Sequence, residues 1–83
     1  YTVRLLNDDA LLQSKLVEEA GELAAATDAT HVAEEAADLI YFAMVKMAGA
    51  GVMLEEVERV LDRRSRRVTR RPGDAKPPQE TQP

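Results

Sequence analysis

The sequence predicts an all-α protein, a small helical bundle completed by homodimerisation or a higher oligomer. Three observations predict it. Apolar residues recur at three- and four-residue spacing through most of residues 9 to 66, no alternating strand pattern interrupts them, and one helical segment is apolar on every side. "YTVRLL", residues 1 to 6, is the exception, and it reads either as a strand or as a docked extended arm. In "DDALLQSKLVEEAGELAAAT", Leu12, Leu16, Ala20, Leu23 and Ala24 form one stripe, predicting an amphipathic helix over about 9–26, with Asn7, Asp8 or Asp9 as its N-cap. "TDAT" breaks the pattern, and a second helix follows over about 30–48. "GAG" at Gly49 to Gly51 ends it with residues that tolerate positive φ. The third, over about 54–66, puts Leu54, Val57, Val60 and Leu61 on one side, with Glu55 and Glu56 near the positive end of its dipole.

Length sets a limit on stability. Of 83 residues, the last twelve, "PGDAKPPQETQP", hold all four prolines, so the foldable domain is 1–71 and 72–83 reads as a disordered tail or interdomain linker. So short a domain buries too little surface to be robust alone. In "AADLIYFAMVKMA", residues 36 to 48, only Asp38 and Lys46 interrupt apolar side chains that point at every angle; a second copy of this helix is the simplest cover. Met44, Met47 and Met53 read as core filler. The chain opens at Tyr1 rather than methionine, as expected of a domain excised from a longer polypeptide or of a chain whose ends were trimmed or disordered.

Composition narrows the chemistry. Residues 1 to 58 carry twelve acidic and three basic side chains, whereas residues 59 to 83 carry eight basic and three acidic. The acidic body argues against nucleic acid as the main ligand, no apolar run is long enough to span a membrane, and the absence of cysteine suits a reducing compartment, the cytoplasm. Any metal is left with oxygen ligands and the single His31, which reads as a first-turn residue and not a ligand.

Four carboxylates stand out. At about 100° per residue, Glu35 and Asp38 lie roughly 60° apart on one face of their helix, and Leu39 and Phe42 share that face. Glu19 and Glu22 repeat the spacing on the preceding helix, where Glu19 borders the leucine stripe. "EEAGE" taken alone reads equally well as a solvated face, and Glu34 reads as exposed. Glu18 is a candidate ligand, an outer partner or a solvent-facing residue. If the two helices pair antiparallel through "TDAT", the acidic pairs face each other in apolar surroundings, where unpaired charges are expensive or become protonated. A hard divalent cation relieves this, and all-oxygen ligation favours Mg²⁺ or Mn²⁺.

These residues meet a family pattern. "ExxE", twelve residues, then "ExxD" resembles the signature of the all-α MazG-like nucleoside triphosphate pyrophosphohydrolases. "YTVRLLNDDALLQSKLVEEAGEL", "EEAADLIYFAMV" and "GVMLEEVERVLDRR" together resemble the phosphoribosyl-ATP pyrophosphohydrolases of histidine biosynthesis across about residues 1 to 71. Met53 departs from the Ser or Thr expected as a helix cap. "SRRVTRRPGDAKP" resembles the junction in fused fungal proteins, where phosphoribosyl-AMP cyclohydrolase precedes this domain and histidinol dehydrogenase follows it.

The resemblance implies hydrolysis of the α,β-phosphoanhydride of 1-(5-phosphoribosyl)-ATP to phosphoribosyl-AMP and pyrophosphate. It also implies Mg²⁺ held by Glu19, Glu22, Glu35 and Asp38, with Glu18 as a further candidate. Glu19 or Glu22 would act as catalytic base, and Lys15, Arg63 and Arg64 would meet the phosphates. Arg66, Arg67, Arg70 and Arg71 read as a solvated or linker-side charge run. Two other readings fit the residues: a MazG-like housecleaning hydrolase of ordinary or damaged nucleotides, and a non-enzymatic helical dimerisation module whose acids are merely solvated.

Overall fold

The structure, a computed structural model, describes residues 1–69, with side chains described through Arg66. Four helices follow one another: α1 (Thr2–Leu6), α2 (Asp9–Ala25), α3 (Ala29–Gly49) and α4 (Leu54–Thr69). No strand occurs among the described residues, as the all-α reading expects. The linker expected over 72–83, together with Arg70 and Arg71, lies outside the described residues.

The chain divides into two units, Tyr1–Met53 and the part from Leu54 onward. In the first, α2 and α3 form the main packing pair and α1 rests against both. Leu12 of α2 meets Phe42 and Val45 of α3 in the core, while Glu19 of α2 meets Glu35 and Asp38. Rising numbers on one helix thus meet falling numbers on the other, which is the antiparallel hairpin expected from the short break. The second unit is described through α4 alone, an amphipathic helix whose Val57 and Val60 are half-buried and whose Asp62 and Arg66 pair at 2.6 Å, one turn apart.

Local chemistry explains the boundaries. Asp8 caps α2 by accepting a hydrogen bond from the Leu11 N–H at 3.0 Å, and Asp28 caps α3 by accepting from the His31 N–H at 2.9 Å. At the far end of α3, Gly51 at φ 72° turns the chain, so that its N–H reaches the Ala48 carbonyl at 3.1 Å and the Val52 N–H reaches the Met47 carbonyl at 2.9 Å. That pair of bonds is a Schellman closure, and it needs a residue at ease with positive φ.

Two expectations are corrected. "YTVRLL" is neither strand nor extended arm: Thr2–Leu6 is a short helix, with the Leu5 N–H bonded to the Tyr1 carbonyl and the Asn7 N–H to the Val3 carbonyl. Coiling the segment sinks Leu5 completely into the core and lets Thr2 Oγ1 meet Tyr41 Oη at 2.6 Å, contacts that override the β-leaning sequence. Nor are all three methionines core filler. Met47 is half-buried, but Met44 and Met53 are 49% and 63% exposed, because α1 and α2 cover only one side of α3 and Met44 lies on the other.

The core is accordingly thin. Leu5, Leu12, Phe42 and Val45 are its buried apolar members, with Leu11 and Leu16 packed against them. Each such burial contributes about 1.5–3 kcal/mol. Phe42 gains further from edge-on contacts with Tyr41 and Tyr1, at ring separations of 5.0 and 6.3 Å.

Candidate metal centre

Two helical turns from Leu12 along the same face of α2, position 19 is also buried, but there the residue is a glutamate, 8% exposed. On α3, Glu35 and Asp38 precede Phe42 and Val45 by seven residues each and so continue the same seam. The core packing that buries Phe42 therefore carries Glu35 to the interface as well. Its side chain is 14% exposed.

One carboxylate oxygen each from Glu19, Glu35 and Asp38 lies within 4.8 Å of the others. Glu19 and Glu35 each have one oxygen, Oε1, that is buried without a hydrogen-bond partner. Asp38 is exposed and opens the group to solvent. Three converging carboxylates, two of them with a buried unsatisfied oxygen, form an arrangement that proteins rarely leave uncompensated. The oxygen-only donor set, its mutual spacing and its two orphaned atoms fit a hard divalent cation.

Electrostatics gives the same picture. Burial pushes Glu19 up from 4.5 to about 7, Glu35 adds to the rise by lying close enough to share the proton, and Glu22, Asp38 and Glu35 add repulsion. Glu22 is raised too, chiefly by its interaction with Glu35 and then by lost hydration. The cluster thus favours keeping a proton, because its like charges repel one another in partly dry surroundings.

Glu22 is exposed and groups with Glu18 and Glu19 in a second set of three along α2. The four acids expected together, with Glu18 as the fifth, therefore fall into two overlapping triads that share Glu19. Glu18 faces outward and accepts from Lys15 Nζ at 3.3 Å. That contact raises the Lys15 pKa, first by the hydrogen bond and then by charge, with smaller help from Tyr1 and Glu19. Glu34 is exposed, as its position on α3 suggested. Arg63 and Arg64 are exposed on α4, in the second unit.

One neighbour went unrecognised in the sequence. His31 Nε2 stands 3.3 Å from Glu35 Oε2. The i, i+4 spacing on α3 was the available signal. A groove of about 210 Å³ opens elsewhere, near Leu5, Leu12, Asp9 and Lys46 at the apolar end of the hairpin. Carboxylate chemistry, and not cavity shape, locates the site.

Fold and site together define a class: an all-α protein with carboxylates converging at a helix–helix interface. A family model described as phosphoribosyl-ATP pyrophosphohydrolase matches residues 1–65. The chain belongs to the phosphoribosyl-ATP pyrophosphohydrolase family. A histidine biosynthesis trifunctional protein of Komagataella pastoris is 57% identical over 77 residues, covering 93% of this chain and 9% of the relative. A histidine biosynthesis bifunctional protein of Schizosaccharomyces pombe is 51% identical over 76 residues, 92% of this chain and 18% of the relative. A chloroplastic bifunctional relative from Arabidopsis thaliana is 44% identical over 68 residues, 77% and 24% of the two chains. The chain thus spans a quarter or less of the length of each of these relatives. No solved structure matches the chain significantly.

Proposed function

We propose that this chain hydrolyses the α,β-phosphoanhydride of 1-(5-phosphoribosyl)-ATP, releasing pyrophosphate and phosphoribosyl-AMP, with Mg²⁺ or Mn²⁺. The observation that carries the proposal is the convergence of Glu19, Glu35 and Asp38, with two buried orphaned oxygens, in a chain whose family is defined by this reaction. Glu19, Glu35 and Asp38 would hold the ion, and Glu22, with Glu18 beside it, would complete the set from the second triad. A bound divalent ion supplies charge neutralisation for triphosphate oxygens and acidifies water.

The protein's own groups do the rest. Glu22, exposed where Glu19 is buried, has the open side that an attacking water needs; it takes the water's proton as the anhydride breaks and pyrophosphate leaves. Glu19 is the alternative base. Lys15, at the edge of the acidic cluster, exchanges its contact with Glu18 for a phosphate oxygen.

Assembly belongs to the proposal. Ile40 and Met44 lie on the side of α3 opposite Phe42 and are 57% and 49% exposed, a face that a second copy would cover in a homodimer. The multifunctional relatives support fusion to other histidine-biosynthesis domains in a longer polypeptide, and a cyclohydrolase and a dehydrogenase are the neighbours proposed. No single helix among the described residues is long and apolar enough to cross a membrane. The cytoplasm, a reducing compartment, suits a chain without cysteine.

The test is turnover of phosphoribosyl-ATP with and without Mg²⁺, beside dATP and dCTP. Metal-dependent pyrophosphate release from phosphoribosyl-ATP is expected. Equal or better activity on the deoxynucleotides would replace this reading with a housecleaning hydrolase. No turnover at all, with a melting temperature indifferent to Mg²⁺ and Mn²⁺, would leave a dimerisation module.

A further inference from the structure

The geometry points to His31 as the positioning residue that orients Glu35 for metal binding, an inference that rests on the metal-dependent reading above. Glu35 divides its two oxygens between different surroundings. Oε2 lies 3.3 Å from His31 Nε2, whereas Oε1 is buried, lacks a partner and belongs to a carboxylate that converges with Glu19 and Asp38. A glutamate has three rotatable bonds, so an inward-facing oxygen with nothing to hold it needs its other oxygen tied down. The imidazole stands where that tie is needed. The ring is itself placed by the start of α3: His31 is the third residue of the helix, and its backbone N–H donates to Asp28 Oδ1 at 2.9 Å.

Helix stability alone does not explain a histidine here. A basic group in the first turn meets the positive end of the helix dipole, and a basic residue four positions before an acidic one is the weaker of the two orders. The contact makes sense as an outer-shell interaction, in which a ligating carboxylate is held by a neighbour through the oxygen the metal does not use.

Mn²⁺ titration followed by electron paramagnetic resonance tests this on the wild type, His31→Ala and His31→Gln, together with metal-free melting curves and the split between kcat and KM. His31→Ala is expected to weaken Mn²⁺ binding by about tenfold or more while metal-free melting stays at the wild-type value. His31→Gln, which offers an amide N–H at similar reach, is expected to recover most of that affinity, and the metal concentration at half-maximal kcat should follow the same order. Wild-type Mn²⁺ affinity in His31→Ala overturns the positioning role and leaves the metal reading intact. So does equal weakening in both variants, which would assign the effect to the helix start and not to the donor. A wild type that binds no Mn²⁺ overturns the metal reading and this inference with it.

Discussion

The two ends of the α2–α3 interface share a backbone arrangement and differ in what they place on it. At one end Leu12 packs against Phe42 and Val45; at the other, seven residues along each helix, Glu19 faces Glu35 and Asp38. Seven residues are two helical turns, about 10 Å. The apolar end gains stability from each contact, while the acidic end gathers like charges and leaves two oxygens unsatisfied. The first end makes the hairpin, and the second gives up part of that stability to hold converging carboxylates.

Mutations that separate the two ends should have opposite signatures. The largest expected effect is on turnover: Glu35→Gln should lower metal-dependent pyrophosphate release by about 10²–10⁴-fold, the range typical of a lost catalytic group, while leaving metal-free melting unchanged or higher. A variant with near-normal turnover would remove Glu35 from the site. Phe42→Ala should do the reverse, destabilising the fold by about 3–5 kcal/mol in urea denaturation. A loss below about 1 kcal/mol would mean the apolar end does not hold the hairpin together.

A third test sharpens the contrast through pH. Glu19 is held near 7 in the folded chain against an ordinary value of 4.5, so between those values the folded chain keeps a proton that the unfolded chain releases. This contribution to stability is fully present below about 4.5 and lost as pH rises through about 7. The raised Glu22 acts in the same direction. Metal-free protein should therefore melt at a lower temperature at pH 8 than at pH 5.5, and Glu19→Gln should flatten that slope and abolish the rise caused by Mg²⁺. An identical slope in wild type and variant would count against a strained carboxylate at position 19.

The smallest effect concerns the α3 start. Asp28→Ala removes the cap on the His31 N–H and should cost about 1 kcal/mol, read as a lower midpoint in the same urea titration. A change within error would mean that water satisfies the helix end equally well.

The three main helices were legible in the sequence because their causes are local. Leucine spacing along α2, Asp8 as a cap, the "TDAT" break and glycine at position 51 act over a few residues, and the observed boundaries fall within a few residues of the expected ones. Part of the acidic cluster was legible too: Glu35 shares a face with Phe42, so packing the phenylalanine carries Glu35 inward, while Asp38 joins it from the exposed rim.

Long-range distances decided the rest. Only packing could turn "YTVRLL" into a helix, since Leu5 is rewarded by contact with α2 and α3 and not by its own neighbours in sequence. Only the juxtaposed helices could sort the acids, joining Glu19 to Glu35 and Asp38 and setting the exposed Glu22 beside both Glu35 and Glu18. The fold also placed His31 against Glu35 and left Met44 exposed, because both depend on which side of α3 its neighbours cover. Periodicity determines which residues share a face; the partner that meets that face is fixed only when the chain closes on itself.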